Sequence, residues 1–203
     1  MDHGYAYLGL NYRGSTTFGT AYLQAIAGDP GQRELADLVA ARQWLVDQGA
    51  ADPDRVLIQG GSYGGYLTLL ALGVRPELWA GGIAEIAIAD WALTYADANP
   101  ANRAFMALPG TFGGTPEQVP ERYRKSSPLT YLAALRSPVL VRQARGDSRA
   151  PARQMEVYER EARRLGKPVT VLWDEGGHSP TGDPLDYWSQ VLEFAAGCRR
   201  PAG

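Results

Sequence analysis

Short apolar runs alternate along this chain with longer stretches of helical period. Residues 5–10 form a brief apolar run closed off by Gly4 and Asn11, the pattern of a buried strand. After the polar loop Arg13-Gly14-Ser15-Thr16-Thr17, positions 35, 38, 39, 42, 45 and 46 recur at helical spacing, and Gly49 sits where a helix would stop. Strands are predicted at 56–59, 82–89, 139–144 and 169–173. Helices are predicted at 64–72, ended by Gly73, at 151–165, closed by Gly166, and from Pro184, capped by Asp183, through Leu185, Trp188, Val191 and Ala195. Short apolar strands alternating with amphipathic helices imply an α/β fold, a mostly parallel sheet with helices on both faces.

Residues 90–128 break this rhythm. The stretch is rich in Pro, Gly, Asn and aromatics (Trp91, Tyr95, Phe105, Phe112, Tyr123) and too long for a plain connection. It reads as a partly helical insertion forming a lid or pocket wall, because long inserted segments in compact domains are often functional. The 203 residues as a whole read as one domain, long enough to fold without a metal or a disulfide.

Composition narrows the chemistry by exclusion. With 20 Lys+Arg against 22 Asp+Glu, the chain lacks the basic footprint of a nucleic-acid binder. It has no run of 18 apolar residues, so neither a spanning helix nor a membrane partner is expected. Residues 1–11 lack the charged start and long apolar stretch of a signal peptide, so a cytoplasmic location is expected. One cysteine, Cys198, excludes an internal disulfide framework and a cysteine-ligated zinc site. Two histidines, His3 and His178, leave little for a histidine-based one. No metal and no cofactor is expected.

The chemistry concentrates at Gly60-Gly61-Ser62-Tyr63-Gly64, a G-x-S-x-G that follows the predicted strand 56–59 and precedes the predicted helix 64–72. A nucleophilic serine needs that strand–turn–helix context, where flanking glycines remove side chains that would collide in the tight elbow. Such a serine is a poor nucleophile until a base takes its proton. In this arrangement the chain order is serine, acid, histidine. His178 is the one histidine downstream of Ser62, in the loop Asp174-Glu175-Gly176-Gly177-His178 just past the last predicted strand. His3 precedes the serine and reads as a bystander. Asp147, just past strand 139–144, is the favoured acid. Asp174 and Glu175 compete, but at four and three residues before His178 they are poorly placed to reach its far ring nitrogen.

These residues resemble those of the prolyl oligopeptidase family of serine peptidases. Gly60-Gly61-Ser62-Tyr63-Gly64-Gly65-Tyr66 is similar to its nucleophile motif, Asn11-Tyr12-Arg13-Gly14-Ser15 to its N-x-R-G-S loop, and Asp52-Pro53-Asp54-Arg55-Val56 to its D-P-x-R-I. Ser127-Pro128, the stretch from Pro138 to Asp147 with Ser148-Arg149-Ala150-Pro151, and Glu175 to His178 follow in register. The resemblance implies an α/β-hydrolase fold and cleavage of short peptides through an acyl-enzyme. It also implies that Arg149 binds a substrate carbonyl, and that Trp91 and Tyr95 wall the pocket for the residue before the scissile bond.

The departures set further expectations. Ala144 and Ala150 stand where the family has Gly and Val, and Gly176-Gly177 lengthens the histidine loop by one residue. The family's H-G-G-P-like or tyrosine-bearing segment, its third strand and its β-propeller have no counterpart in the chain. A partial catalytic domain lacking the first strands of the fold is therefore expected, in which 5–10 pairs directly with 56–59 or stays loosely attached. Only the Tyr63 N–H is then secured as an oxyanion donor, and loss of one such donor costs about 3–4 kcal/mol of transition-state stabilisation. The expected partners are a short peptide substrate and either a second copy of the chain or the missing N-terminal segment and propeller. An esterase or other acyl hydrolase on the same fold, and a truncated, catalytically silent domain, remain open alternatives.

Overall fold

A computed structural model describes residues 4–179 and 183–200; His3 lies outside the described residues. The helices in chain order are α1 (Thr20–Gln24), α2 (Gln32–Asp47), α3 (Tyr63–Val74), α4 (Trp91–Asp97), α5 (Pro100–Met106), α6 (Pro120–Ser126), α7 (Arg153–Arg164) and α8 (Pro184–Gly197), with a 3₁₀ helix at Pro128–Ala134. The strands are β1 (Leu57–Gly61), β2 (Gly81–Glu85), β3 (Val139–Ala144) and β4 (Val169–Asp174). The chain divides into two compact units, Met1–Asp52 with Trp91–Ser126, and Pro53–Asp90 with Ser127–Gly203.

The second unit holds the whole described sheet, four parallel strands in the order β1-β2-β3-β4. Glu85 stands beside Gly61 on one side and Arg142 on the other, and Arg142 beside Leu172, which aligns the carboxyl ends of all four strands. On one face Ile83 and Leu140 pack with Val191 of α8, flanked by Leu57, Leu172, Tyr187 and Phe194. Helix α3 covers the other face. Its residues from Gly65 to Gly73 are all buried, as expected of a helix apolar on every side. Gly82 admits it closely, because a Cβ there would collide with Leu72 and Thr68.

The first unit is built on polar ties as well as apolar contacts. Arg13 donates from its main chain and its guanidinium to Asp37 (2.8 and 2.9 Å), fixing the loop before α1 against α2. Buried Glu34 accepts the Gly31 N–H at 3.0 Å and so satisfies an amide ahead of the first turn of α2. Trp91, Phe112, Tyr123 and Tyr95 form a continuous aromatic cluster, with Phe112 and Tyr123 stacked at 4.1 Å.

Three sequence expectations are corrected. Residues 5–10 form no strand, and Tyr7 is 86% exposed. A lone apolar run has no ladder to satisfy its amides, and among the described residues no strand accompanies it. Strand β2 stops at Glu85 instead of running to residue 89, because Ile86 turns the chain at φ 43°. Gly73 does not end α3; a Cβ there would lie 2.7 Å from Tyr131 Cβ, so this glycine admits the 3₁₀ helix. Helix α8 starts at Pro184 behind Asp183 as expected; Val191 and Ala195 carry its buried face, and Leu185 and Trp188 are exposed.

Candidate active site

Ser62 sits between the last residue of β1 and the first of α3, with φ 55° and ψ −116°. A non-glycine residue at positive φ is strained and persists only where its surroundings over-determine it. Here the Ser62 N–H donates to the Glu85 carbonyl at 2.9 Å, and the Ser62 carbonyl accepts the Tyr66 N–H at 2.9 Å. The turn also needs its glycines. A Cβ on Gly60 would lie 2.5 Å from the Gly64 carbonyl, and one on Gly65 would lie 2.6 Å from the Glu85 carbonyl oxygen. The residue after the serine, Tyr63, opens α3.

Ser62 Oγ lies 2.9 Å from His178 Nε2. The other ring nitrogen, Nδ1, faces both oxygens of Asp147, at 3.0 and 2.9 Å. The Asp147 side chain is fully withdrawn from solvent, while His178 is 20% exposed. Buried polar groups need partners, and Asp147 Oδ1 also accepts the main-chain N–H groups of Arg149 (2.7 Å) and Ala150 (3.0 Å). These bonds close the acid loop on itself and aim its carboxylate at the histidine.

The competing acids are engaged elsewhere. Asp174 accepts Arg142 Nε at 3.1 Å and the Gly176 N–H at 2.8 Å. Glu175 lies 3.4 Å from Arg145 with its side chain 87% exposed. The acid and histidine loops are joined directly, since the Gly146 N–H donates to the Gly176 carbonyl at 2.9 Å and a Cβ on Gly146 would lie 2.7 Å from that oxygen.

The remaining sequence candidates fall in both units. Arg149 is exposed on the acid loop. Trp91 and Tyr95 lie on α4 within the aromatic cluster of the first unit, Trp91 against Phe112 at 5.5 Å and Tyr95 edge-on to Tyr123 at 6.0 Å. Among the described residues no group of His, Cys, Asp and Glu is arranged to hold a metal ion, and no helix is long and apolar enough to cross a membrane.

Two supporting side chains were not singled out by sequence reasoning. Buried Gln143 donates to the Ala150 carbonyl at 2.8 Å and steadies the acid loop from below. Glu85 accepts the Tyr187 hydroxyl at 2.5 Å. A charge inside the apolar run Ile83-Ala84-Glu85-Ile86 was the available signal for the second.

Known proteins are similar to this chain over nearly its whole length. The dipeptidyl aminopeptidase BIII of Pseudoxanthomonas mexicana is 32% identical over 180 residues, covering 87% of this chain and 26% of that protein. The acylamino-acid-releasing enzyme of Arabidopsis thaliana is 27% identical over 197 residues, covering 95% of this chain and 26% of the relative. The solved structure of Pyrococcus horikoshii acylaminoacyl peptidase superposes with a TM-score of 0.83 at 27% identity, over 95% of this chain and 32% of that one. The chain thus spans about a quarter of the length of the curated relatives it matches. The model of the prolyl oligopeptidase family matches residues 1–198, and the chain belongs to that family.

Proposed function

We propose that this chain is a catalytic portion of a serine peptidase that hydrolyses short peptides, with Ser62 as nucleophile, His178 as general base and Asp147 as the orienting acid. The observation that carries the reading is the 2.9 Å approach of Ser62 Oγ to His178 Nε2 while Nδ1 faces Asp147. As Ser62 Oγ attacks the scissile carbonyl carbon, His178 Nε2 takes the hydroxyl proton and then returns it to the leaving amine. Asp147 holds the imidazole in the tautomer that leaves Nε2 free to accept, and stabilises the imidazolium without taking the proton. The developing oxyanion is assigned to the Tyr63 N–H, at the start of α3 where the helix dipole favours negative charge. Water then attacks the acyl carbon as His178 Nε2 takes its proton, and that proton passes to Ser62 Oγ as the ester bond breaks and the acid product leaves.

In this reading the chain is one partial catalytic domain with 90–128 as its insertion. Arg149 binds a substrate carbonyl, and Trp91 and Tyr95 contact the residue before the scissile bond. All three assignments rest on the resemblance to the family.

Labelling by a fluorophosphonate probe tests the core of the proposal. Wild type is expected to label at one residue, and Ser62→Ala to be blank. A folded wild type that does not label overturns the proposal in favour of a silent domain. Parallel assays on peptide amides and short-chain esters separate a peptidase from an esterase, and turnover of esters alone would favour the latter.

A further inference from the structure

On the α8 face of the sheet a polar chain runs beneath the carboxyl ends of the strands. It begins at the nucleophile turn, where the Ser62 N–H donates to the Glu85 carbonyl at 2.9 Å. The Glu85 carboxylate accepts the Tyr187 hydroxyl at 2.5 Å, and that hydroxyl accepts Gln59 Nε2 at 3.3 Å. Arg142 lies over the Tyr187 ring, 5.1 Å from its centroid, and donates through Nε to Asp174 at 3.1 Å. Asp174 in turn accepts the Gly176 N–H at 2.8 Å, two residues before His178.

Tyr187 is the junction of this chain. Its ring is the platform for Arg142, its hydroxyl spans β1 and β2, and it stands in the first turn of α8. Half-buried and bonded to a carboxylate, its phenol is held protonated; burial and the Glu85 hydrogen bond both push its ionisation upward. A hydrogen bond to a charged acceptor in a partly desolvated site is stronger than a neutral one. The chain of bonds thus joins the strained Ser62 turn to the His178 loop, so a shift at the junction reaches both.

We propose that Tyr187, through its bond to Glu85, is a positioning residue that sets the separation of Ser62 and His178. It touches no reacting atom. The idea rests on the proposed peptidase reading for its kinetic consequence, but its structural content is measurable without activity.

The test is Tyr187→Phe in the full chain, which removes the hydroxyl and keeps the ring under Arg142. Residue-resolved hydrogen exchange is followed at the Ser62 and Gly176 amides, the two ends of the chain, with the Leu129 amide, bonded to the Ala89 carbonyl, as a remote control. Faster exchange at both ends with Leu129 unchanged is expected. Unchanged ends, or equal acceleration at all three, overturns the proposal. The fluorophosphonate inactivation rate should fall about tenfold, with kcat and not KM carrying the loss for peptides, since small misplacements of reacting groups cost rate rather than binding. Glu85→Gln, which keeps an acceptor for the hydroxyl, should lose less than Glu85→Ala and serves if Tyr187→Phe does not fold. Equal effects of the two would count against the bond. A wild type with unreactive Ser62 would overturn the peptidase reading and leave the exchange measurement to decide this one.

Discussion

Asp147 Oδ2 stands 2.9 Å from His178 Nδ1 with its carboxylate wholly buried, whereas Glu175, three residues from the same histidine, points its side chain into solvent. The carboxylate distant in sequence is the near one in space. Asp147→Asn keeps the shape of the group but offers an amide N–H to Nδ1, which favours the tautomer with the proton on Nε2. A loss of about 10⁴ in kcat is expected, against little change for Glu175→Gln. Kinetics of the two variants side by side check this; a crippled Glu175→Gln with a mild Asp147→Asn would reassign the acid.

The two outer glycines of Gly60-Gly61-Ser62-Tyr63-Gly64 are not equivalent. Gly60→Ala forces a methyl to within 2.5 Å of the Gly64 main chain, which has nowhere to move without opening the turn. A loss of about 2–4 kcal/mol in denaturant unfolding is expected. At Gly64 a Cβ meets nothing within 4 Å, and the position is helical. Gly64→Ala should be neutral or stabilising by up to about 1 kcal/mol. Similar losses for both would mean that the elbow is not shaped by this contact.

How much of this was legible in the sequence depends on how local the cause was. Strand β3 was read residue for residue because its apolar run is bounded by Pro138 and Gly146. The start of α8 was read because Asp183 caps it through its own side chain, accepting the Leu185 N–H at 2.9 Å. That Ser62, Asp147 and His178 come together was legible because strand ends and chain order restrict which side chains can meet there. Gly73 misled because a close helix approach and a helix stop both select glycine, and only the position of Tyr131 separates them. Residues 5–10 misled because an apolar run signals burial, while a strand also needs a neighbour that no local pattern supplies. Gln143 and Tyr187 were invisible for the same reason, as their partners are set by strand register and helix docking, and the charge of Glu85 within an apolar run signals a role without naming its partner.

The Arg13–Asp37 pair makes the first unit acid-sensitive. Burial pushes the Asp37 carboxyl up, but the Arg13 guanidinium and main-chain N–H outweigh it and hold the carboxyl below its ordinary value. A carboxylate with a folded value below its unfolded one contributes stability that is fully present above the unfolded value and is lost as pH falls through the folded one. Asp37→Asn should therefore unfold at lower urea than wild type at neutral pH, with the two midpoints converging in the strongly acidic range. A gap that stays constant from neutral to acid would remove the carboxylate charge from the explanation.

Cys198 should be chemically silent in the folded chain. It is 2% exposed, donates to the Phe194 carbonyl at 3.3 Å, and burial pushes its thiol up to about 11. The thiolate is the reactive form, so both access and ionisation oppose modification. Ellman's reagent at pH 8 is expected to find no thiol in the native protein and one in denaturant. Rapid native reaction would show that the close packing of Cys198 against Gly81 opens readily.

Substitution of Arg149 is expected to separate substrate recognition from nucleophile activation. Its main-chain N–H, not its side chain, holds Asp147 at 2.7 Å, so truncation to Ala leaves that bond in place. The residue is exposed on the acid loop. Arg149→Ala should weaken peptide turnover by about ten- to a hundredfold, the range of a hydrogen bond to or from a charged group, with KM carrying much of the loss. The same variant should react with a small fluorophosphonate at the wild-type rate, because that probe offers no second carbonyl to bind. Equal losses toward peptide and probe would instead mean that the side chain supports the acid loop, and the substrate role would be withdrawn.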